Sequence, residues 1–280
     1  MAGTVYLVAT PIGNLGDLTV RARDVLSSVP FVACEDTRRS RVLLDHYGIH
    51  KEVVSLPAFA EGQRAGRILD RVGSGEDCAV ITDAGSPGIS DPGEKLVAEA
   101  IARGIRIVPV PGASAVVAAL SASGLPTGRF HFLGFLPRKG SDRRALLEEI
   151  ASLQATLVLY ESPRRLGETL AELAQVLGDR RACVARELTK VHEEFVRGTL
   201  SELARAYQGA EVLGEIVLVV EGRAGGQRWT EEEVRRALEE GLARGEKLKE
   251  LARETARRAG WSGQEVYRLG LKSLKKQTSR

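Results

Sequence analysis

The chain has 280 residues, 43% of them hydrophobic, and a formal net charge of +3. That length predicts about two domains, and the apolar fraction suffices for sizeable cores, which excludes a disordered chain. The longest apolar runs, such as Ile216–Val220, fall far short of the ~20 residues that cross a bilayer, so no membrane partner is expected. The start, Met1-Ala2-Gly3-Thr4-Val5, lacks the basic leader and long apolar stretch of a signal peptide. Cys34, Cys78 and Cys183 are odd in number and widely spaced, which argues against a disulfide framework and against a metal site. A reducing, cytoplasmic location is the expectation. Basic residues gather at Arg38, Arg39 and Arg41, at Arg138, Lys139, Arg143 and Arg144, and at Lys272, Lys275, Lys276 and Arg280. Such clusters suit phosphates, and they equally suit a solvated surface.

A short apolar strand over 4–9 stops at Thr10-Pro11-Ile12-Gly13-Asn14-Leu15, where proline and glycine impose a turn. Asp17 or Thr19 caps a predicted helix over Val20–Ser28. A second strand, Phe31–Cys34, runs into Glu35-Asp36-Thr37-Arg38-Arg39, with a helix predicted over 40–47. A strand over 53–56 and a helix over 60–72 follow, then a strand over 78–82. This last strand ends in the densest turn signal of the chain, Asp83-Ala84-Gly85-Ser86-Pro87-Gly88-Ile89-Ser90-Asp91-Pro92-Gly93. A helix over 94–103, a strand over 106–109 and the turn Pro111-Gly112-Ala113-Ser114-Ala115 lead into an alanine-rich helix. Strand, turn and helix alternating this regularly predict a mainly parallel sheet covered on both faces. In such sheets ligands bind beyond the carboxyl ends of the strands, which here carry the polar and glycine-rich loops.

The pattern changes near 121–129, and a second α/β unit with a mixed sheet is predicted to follow. Its strands are read at Phe130–Phe135, 155–160, 181–185, 195–199 and 214–221, with helices over 143–153, Leu166–Leu177 and Leu200–Tyr207. A glycine-rich link at 223–227 then precedes short helices over 231–244 and 249–259 and a third from Trp261. The predicted organisation is two α/β domains, 1–121 and 122–224, with a small helical appendage with a basic tail at 225–280.

Several familiar chemistries lack their signals. No Gly-x-Gly-x-x-Gly follows the first strand and no Gly-Lys-Ser/Thr phosphate loop occurs, which removes the usual nicotinamide and P-loop sites. A serine-hydrolase elbow is missing, and His46, His50, His131 and His192 have no metal-binding spacing. The 83–93 loop remains, where glycines let backbone approach a ligand, prolines stiffen the turn, and Asp83 and Asp91 offer carboxylates or simple turn caps. Ser114 with free amides at a helix start suits an anion or plain capping. Glu35-Asp36 beside Arg38-Arg39 reads as an acid/base pair or as a salt-bridged helix entrance. Tyr160-Glu161-Ser162-Pro163-Arg164 and Arg186-Glu187-Leu188-Thr189-Lys190 repeat that charged pattern after strands of the second unit.

Taken in order, these segments resemble the 16S ribosomal RNA cytidine 2'-O-methyltransferases of the tetrapyrrole-methylase-like superfamily, over nearly the whole chain. The resemblance implies a two-domain α/β fold with S-adenosyl-L-methionine held in a cleft between the domains, and methyl transfer to a ribose 2'-oxygen in the decoding region of 16S ribosomal RNA. It also implies a homodimer that acts on that RNA or on the small ribosomal subunit. Carried over residue by residue, it assigns Asp83, Gly85, Ser86, Pro87, Ile89, Ser90, Pro111, Ser114 and Ala115 to the methionine and ribose side of the cofactor. Tyr160, Arg186, Glu187, Leu188 and Val220 are assigned to the adenine side. Pro11, Gly13, Asn14, Arg38, Arg39 and Arg164 form the substrate rim. Candidate proton acceptors are Glu35, Asp36 and Glu161, with Lys190 a fourth if burial lowers its pKa. Two departures stand out: Leu56-Pro57-Ala58-Phe59-Ala60-Glu61 replaces a His-Glu-His-Asn-like stretch, and Arg164-Arg165 replaces the usual Pro-His-Arg. A methylase of tetrapyrrole carbon and a non-catalytic ribosome-assembly protein are the alternatives. The first would need a wide apolar cleft, and the second would not need intact glycine loops.

Overall fold

A computed structural model describes residues 2–138, 140–224, 229–259 and 261–277. Lys139, most of the predicted link (225–227) and the side chains of the basic tail from Lys272 lie outside the described residues. The chain forms two compact units, Met1–Glu221 and Gly222–Arg280.

The first unit opens with strands β1 (Thr4–Val8), β2 (Phe31–Cys34), β3 (Glu52–Ser55), β4 (Cys78–Ile81) and β5 (Arg106–Val110). They pair in the order β3-β2-β4-β1-β5, every pair parallel, as the sequence predicts. Helices α1 (Val20–Ser28), α2 (Thr37–His46), α3 (Glu61–Gly73), α4 (Glu94–Ala102) and α5 (Ala115–Ala122) connect the strands and follow the last. Buried side chains line both faces of the sheet: Phe31, Ile68, Leu69 and Leu96 on one, Leu26, Val32, Leu44 and Ile81 on the other. Because β2 and β4 are buried on both sides, they read as continuous apolar runs instead of alternating ones.

Caps set the helix starts. The Thr19 hydroxyl accepts the Ala22 N–H at 3.1 Å and opens α1 where the sequence places it. Helix α2 begins at Thr37, three residues before the predicted start, because the Asp36 carboxylate accepts the Arg38 N–H at 2.8 Å and caps the helix there.

The second sheet is mixed and runs β6-β7-β10-β8-β9, from β6 (Phe130–Phe135), β7 (Thr156–Glu161), β8 (Arg181–Arg186), β9 (Glu194–Thr199) and β10 (Ile216–Val220). Only β6 and β7 are parallel; β10 runs antiparallel to both β7 and β8. Helices α6 (Ser141–Ala151), α7 (Leu166–Leu177) and α8 (Leu200–Tyr207) bury Leu147, Leu170, Leu173 and Leu203 against one face. The opposite face packs on α5: Val116, Ala119 and Leu120 meet Val158, Val217 and Val219, and Ile12 from the turn after β1 joins them. This shared core fixes the loops of the first sheet against the second. Truncating one such fully buried leucine typically costs roughly 2–5 kcal/mol.

Cys34, Cys78 and Cys183 are all free and buried, one at the end of β2, one at the start of β4 and one within β8. The unit Gly222–Arg280 contains α9 (Glu231–Ala243), α10 (Leu248–Ala259) and α11 (Gly263–Gln277), built around Val234, Leu238, Leu251, Ala256 and Val266. Thr230 and Glu233 form the predicted capping box, and the Trp261 indole N–H donates to the Trp229 carbonyl at 2.6 Å.

Candidate active site

Parallel pairing brings the loops after β1 and β4 to one edge of the first sheet, where they are tied together. Thr10 and Gly85 exchange backbone hydrogen bonds of 2.9 and 3.1 Å, and the Thr10 hydroxyl donates to the Thr82 carbonyl at 3.0 Å. Above them lies a cavity of about 380 Å³, within the range of sites that take a cofactor-sized molecule. The first half contributes Ile12, the 84–91 loop and the start of α5; the second contributes Phe135, the end of β7, Leu188 and residues 214–217.

The 83–93 loop is held in an unusual shape. Gly85, Gly88 and Gly93 have φ of 80°, 81° and 143°, and Ser90, with a side chain, sits at 64°. A Cβ on Gly93 would lie 2.8 Å from the Gly88 nitrogen, so glycine is required there. Glu61, only 6% exposed at the start of α3, accepts the N–H of Gly93 at 2.9 Å and of Leu96 at 3.1 Å. This carboxylate satisfies the free donors of the α4 N-terminus and fixes the loop. Nothing in the sequence pattern singles it out, because its partners lie more than thirty residues away.

The 186–190 loop faces that one, with Glu187 and Thr189 at φ of 51° and 66°. The Lys190 ammonium donates to Glu187 Oε1 at 2.7 Å and Glu215 Oε2 at 3.2 Å. Burial opposes the charge on Lys190, but the Glu187 hydrogen bond and the Glu215 carboxylate outweigh it and raise its pKa. The condition under which Lys190 would serve as a base is therefore not met. Glu187 is held below the usual carboxylate range, chiefly by its bond to Lys190. Gly13 marks where the halves touch: a Cβ there would lie 2.6 Å from the Lys190 side chain and 2.8 Å from the Leu188 carbonyl.

Tyr160 is half-buried, with its ring 5.1 Å from that of Phe132 and 5.4 Å from that of Phe135. Burial, then the charges of Asp91 and Glu215, raise its hydroxyl pKa. Glu161 is buried with both oxygens engaged: Oε1 accepts the Ser162 N–H at 2.8 Å and lies 3.3 Å from Arg165, while Oε2 accepts the Thr169 hydroxyl at 2.6 Å. Its geometry is that of a carboxylate anchoring the end of β7.

Acidic groups dominate the first-sheet side. Asp83 pairs with Arg39 at 3.1 Å and accepts the Asp36 N–H at 3.3 Å. Burial and the neighbouring Asp83 raise the Glu35 pKa. Asp36 is lowered to about 2 by the Arg38 guanidinium and N–H. Asp91 is pushed up to about 6, first by burial and then by the charges of Glu35 and Asp83.

Of the expected cofactor residues, Gly85, Ser86, Ile89, Ser90, Ser114, Ala115, Tyr160 and Leu188 line the cavity. Asp83, Pro87, Pro111, Arg186 and Glu187 do not, and Arg186 is paired with Glu194 at 2.9 Å. Val220 is misplaced by the sequence reading. Because β10 is antiparallel to β7 and β8, its beginning, Ile216 opposite Glu161 and Arg186, meets the cavity, while Val220 lies buried at the far end opposite Leu157 and Ala182. On the rim, Gly13, Asn14, Arg38 and Arg39 are exposed, whereas Pro11 is buried, and Arg164 lines a different groove beside Gly167 and Tyr207. Ile12, Asp91, Phe135 and residues 214–217 line the cavity although none of them belongs to the cofactor set expected from sequence.

The model of the Tetrapyrrole (Corrin/Porphyrin) Methylases matches residues 4–204. The chain is 43% identical over 274 residues to ribosomal RNA small subunit methyltransferase I of Halalkalibacterium halodurans, covering 95% of this chain and 94% of that protein. The protein of the same name from Synechocystis is 42% identical, with 96% and 98% covered. Among solved structures, a cobalt precorrin-4 methyltransferase matches at TM-score 0.61 and 20% identity over 78% of this chain and 94% of that one. A diphthine synthase matches at TM-score 0.63 and 17% identity, covering 79% and 90%. The uroporphyrin-III C-methyl transferase of Thermus thermophilus, solved with S-adenyl homocysteine, matches at TM-score 0.58 and 22% identity, covering 78% and 97%. These likenesses agree with the two-sheet architecture, and with the match over 4–204 and the two relatives aligned nearly end to end, they show that the chain belongs to the tetrapyrrole (corrin/porphyrin) methylase family.

Proposed function

We propose that this protein transfers a methyl group from S-adenosyl-L-methionine to small-subunit ribosomal RNA, at the ribose 2'-oxygen of a cytidine in the 16S decoding region. The observation that carries the reading is the composition of the cavity wall. Three carboxylates, Asp91, Glu161 and Glu215, and an apolar surface of Ile12, Phe135, Tyr160, Leu188, Ile216 and Val217 line it, and among the described residues no lysine, arginine or histidine does. That wall suits a ligand with a flat apolar ring and cationic groups, the ring on the apolar side chains and the cations in the summed negative field of the wall rather than on any one carboxylate. The near-complete alignment with two relatives named as small-subunit ribosomal RNA methyltransferases supports the RNA as acceptor.

Bound in the cavity, S-adenosyl-L-methionine supplies an electrophilic methyl on a sulfonium. Tyr160, Phe135, Leu188, Ile216 and Val217 would hold the adenine, and the 85–90 loop with Ser114 and Ala115 would hold the methionine and ribose. Glu61 and the Thr10–Gly85 bridge keep the 83–93 loop rigid, so that positioning carries much of the acceleration. Gly13, Asn14, Arg38 and Arg39 form the proposed RNA rim, where arginine holds phosphate without reading sequence. The halves 1–121 and 122–224 act as the two jaws of this site. The active form is proposed to be a cytoplasmic homodimer. Among the described residues no helix is long and apolar enough to cross a membrane, which is consistent with that location.

The test is transfer of labelled methyl from S-adenosyl-L-methionine to undermethylated small subunits and to naked RNA, followed by mapping. Label on a cytidine 2'-oxygen supports the reading; label on a base, or on no RNA, would sink it.

A further inference from the structure

The Asp91 carboxylate lines the cavity at the tip of its most constrained loop. It cannot easily swing away: the Gly88 N–H donates to the Pro92 carbonyl at 3.1 Å, Ser90 on one side holds a positive φ, and Glu61 ties Gly93 on the other. The other two carboxylates of the wall are already engaged, Glu161 by Ser162, Thr169 and Arg165, and Glu215 by Lys190. Among the described residues no cation is paired with Asp91. The charged and titratable groups that face it are Glu35 beyond β2, Asp83 beyond β4 with its partner Arg39, Tyr160 at the end of β7 and Glu215 before β10; the nearby Thr82 hydroxyl, which donates to the Ala84 carbonyl, favours its ionised form.

We propose that Asp91 is the proton acceptor of this active site, taking the proton of the ribose hydroxyl as the methyl group is transferred. The inference rests on the function proposed above and identifies the base which that function leaves open. In the step, the ribose oxygen–carbon bond forms as the carbon–sulfur bond breaks. Sulfur keeps the bonding pair and becomes a neutral thioether, and the hydroxyl proton passes to Asp91, which releases it to solvent after product leaves.

Electrostatics agree with the geometry. Burial first, then Glu35, Asp83 and Glu215, raise the carboxyl to about 6, with Thr82 pulling the other way. A carboxylate of ordinary pKa is a poor base for a hydroxyl; one near 6 remains ionised at neutral pH while binding a proton far better. Glu35 is shifted in the same sense but does not line the cavity, and Asp36 is shifted oppositely and bound to Arg38. Of the three acids named from sequence, Glu35 and Asp36 are therefore less suited than the one the fold places in the cavity, and Glu161 is already engaged.

The test uses the full-length protein with D91N and D91E. Carboxyl carbon NMR of wild type against D91N, recorded without substrate, should assign to Asp91 a titration midpoint near 6. With undermethylated subunits, D91N should lower kcat about 10²- to 10³-fold, while KM and the calorimetric Kd for S-adenosyl-L-methionine change less than about 3-fold. The wild-type rise of kcat through about pH 6 should vanish in D91N and partly return in D91E. Unchanged kcat in D91N, or a midpoint at the ordinary aspartate value, would overturn the assignment. So would cofactor affinity that falls in step with activity, which makes Asp91 a binding contact. Wild-type protein that methylates no RNA would overturn the function on which the proposal rests, and the substrate-free titration tells the two failures apart.

Discussion

At the residue scale, two groups carry opposite electrostatic burdens. Asp91 binds its proton more tightly in the folded chain than in the unfolded one, with a native value of about 6. Such a carboxyl favours folding only while protonated, so its contribution declines as pH rises from about 4 through 6. D91N should therefore be more stable than wild type at pH 7, by about 1–2 kcal/mol after allowance for solvent screening, and nearly equal to it below pH 4. Urea unfolding at both pH values checks this, and equal stability at pH 7 would contradict the strained position of the acid. Lys190 is the converse: a cation held charged by Glu187 and Glu215. K190M should leave the pH profile of kcat unchanged and raise the cofactor Kd several-fold by loosening the 186–190 loop. A shifted pH limb would restore Lys190 as a base.

At the element scale, the 83–93 loop stands on glycine geometry. G93A places a methyl 2.8 Å from the Gly88 nitrogen at a φ of 143°, and both faults add. We expect a loss of about 2–4 kcal/mol in thermal or urea unfolding, with cofactor affinity lost even where the protein still folds. Most elements were legible in the sequence because their causes are local: Thr19, Thr199 and Thr230 cap helices from adjacent positions, and buried parallel strands read as apolar runs. What the sequence hides is non-local. A valine-rich strand such as β10 looks the same whichever way it runs, so Val220 was assigned to the wrong end of it. Glu61 was equally invisible, because only the fold brings its carboxylate to the amides of α4. The site itself was half legible: the dense glycine and proline loops named the first wall, whereas Phe135 and residues 214–217 of the second wall follow or contain only single glycines, Gly134 and Gly214, which read as ordinary strand ends.

At the scale of the whole molecule, charge is unevenly divided. The unit Gly222–Arg280 holds 15 of the 40 lysines and arginines and 9 of the 37 acids, a net +6, which leaves Met1–Glu221 at −3. A −3 catalytic unit has no long-range attraction for a polyanion, so the proposed RNA should owe its salt-sensitive affinity to the helical unit. Reversing the exposed Lys249 and Arg253 of α10 to glutamate should weaken RNA binding at least tenfold at 0.1 M salt and flatten the salt dependence. Cofactor affinity should stay unchanged; a fall in it, or an unaltered RNA salt slope, would count against this division of labour.

The three buried thiols give the fold a built-in clock. Burial raises the pKa of all three, Cys78 to about 12, so none reacts with an alkylating reagent while its sheet is closed. Cys34 and Cys78 belong to the first sheet and Cys183 to the second, on the face that packs against α5. The order in which they become reactive under mild denaturant is thus a direct record of whether the two jaws come apart together, as their shared core at Ile12 and Leu120 requires, or one after the other.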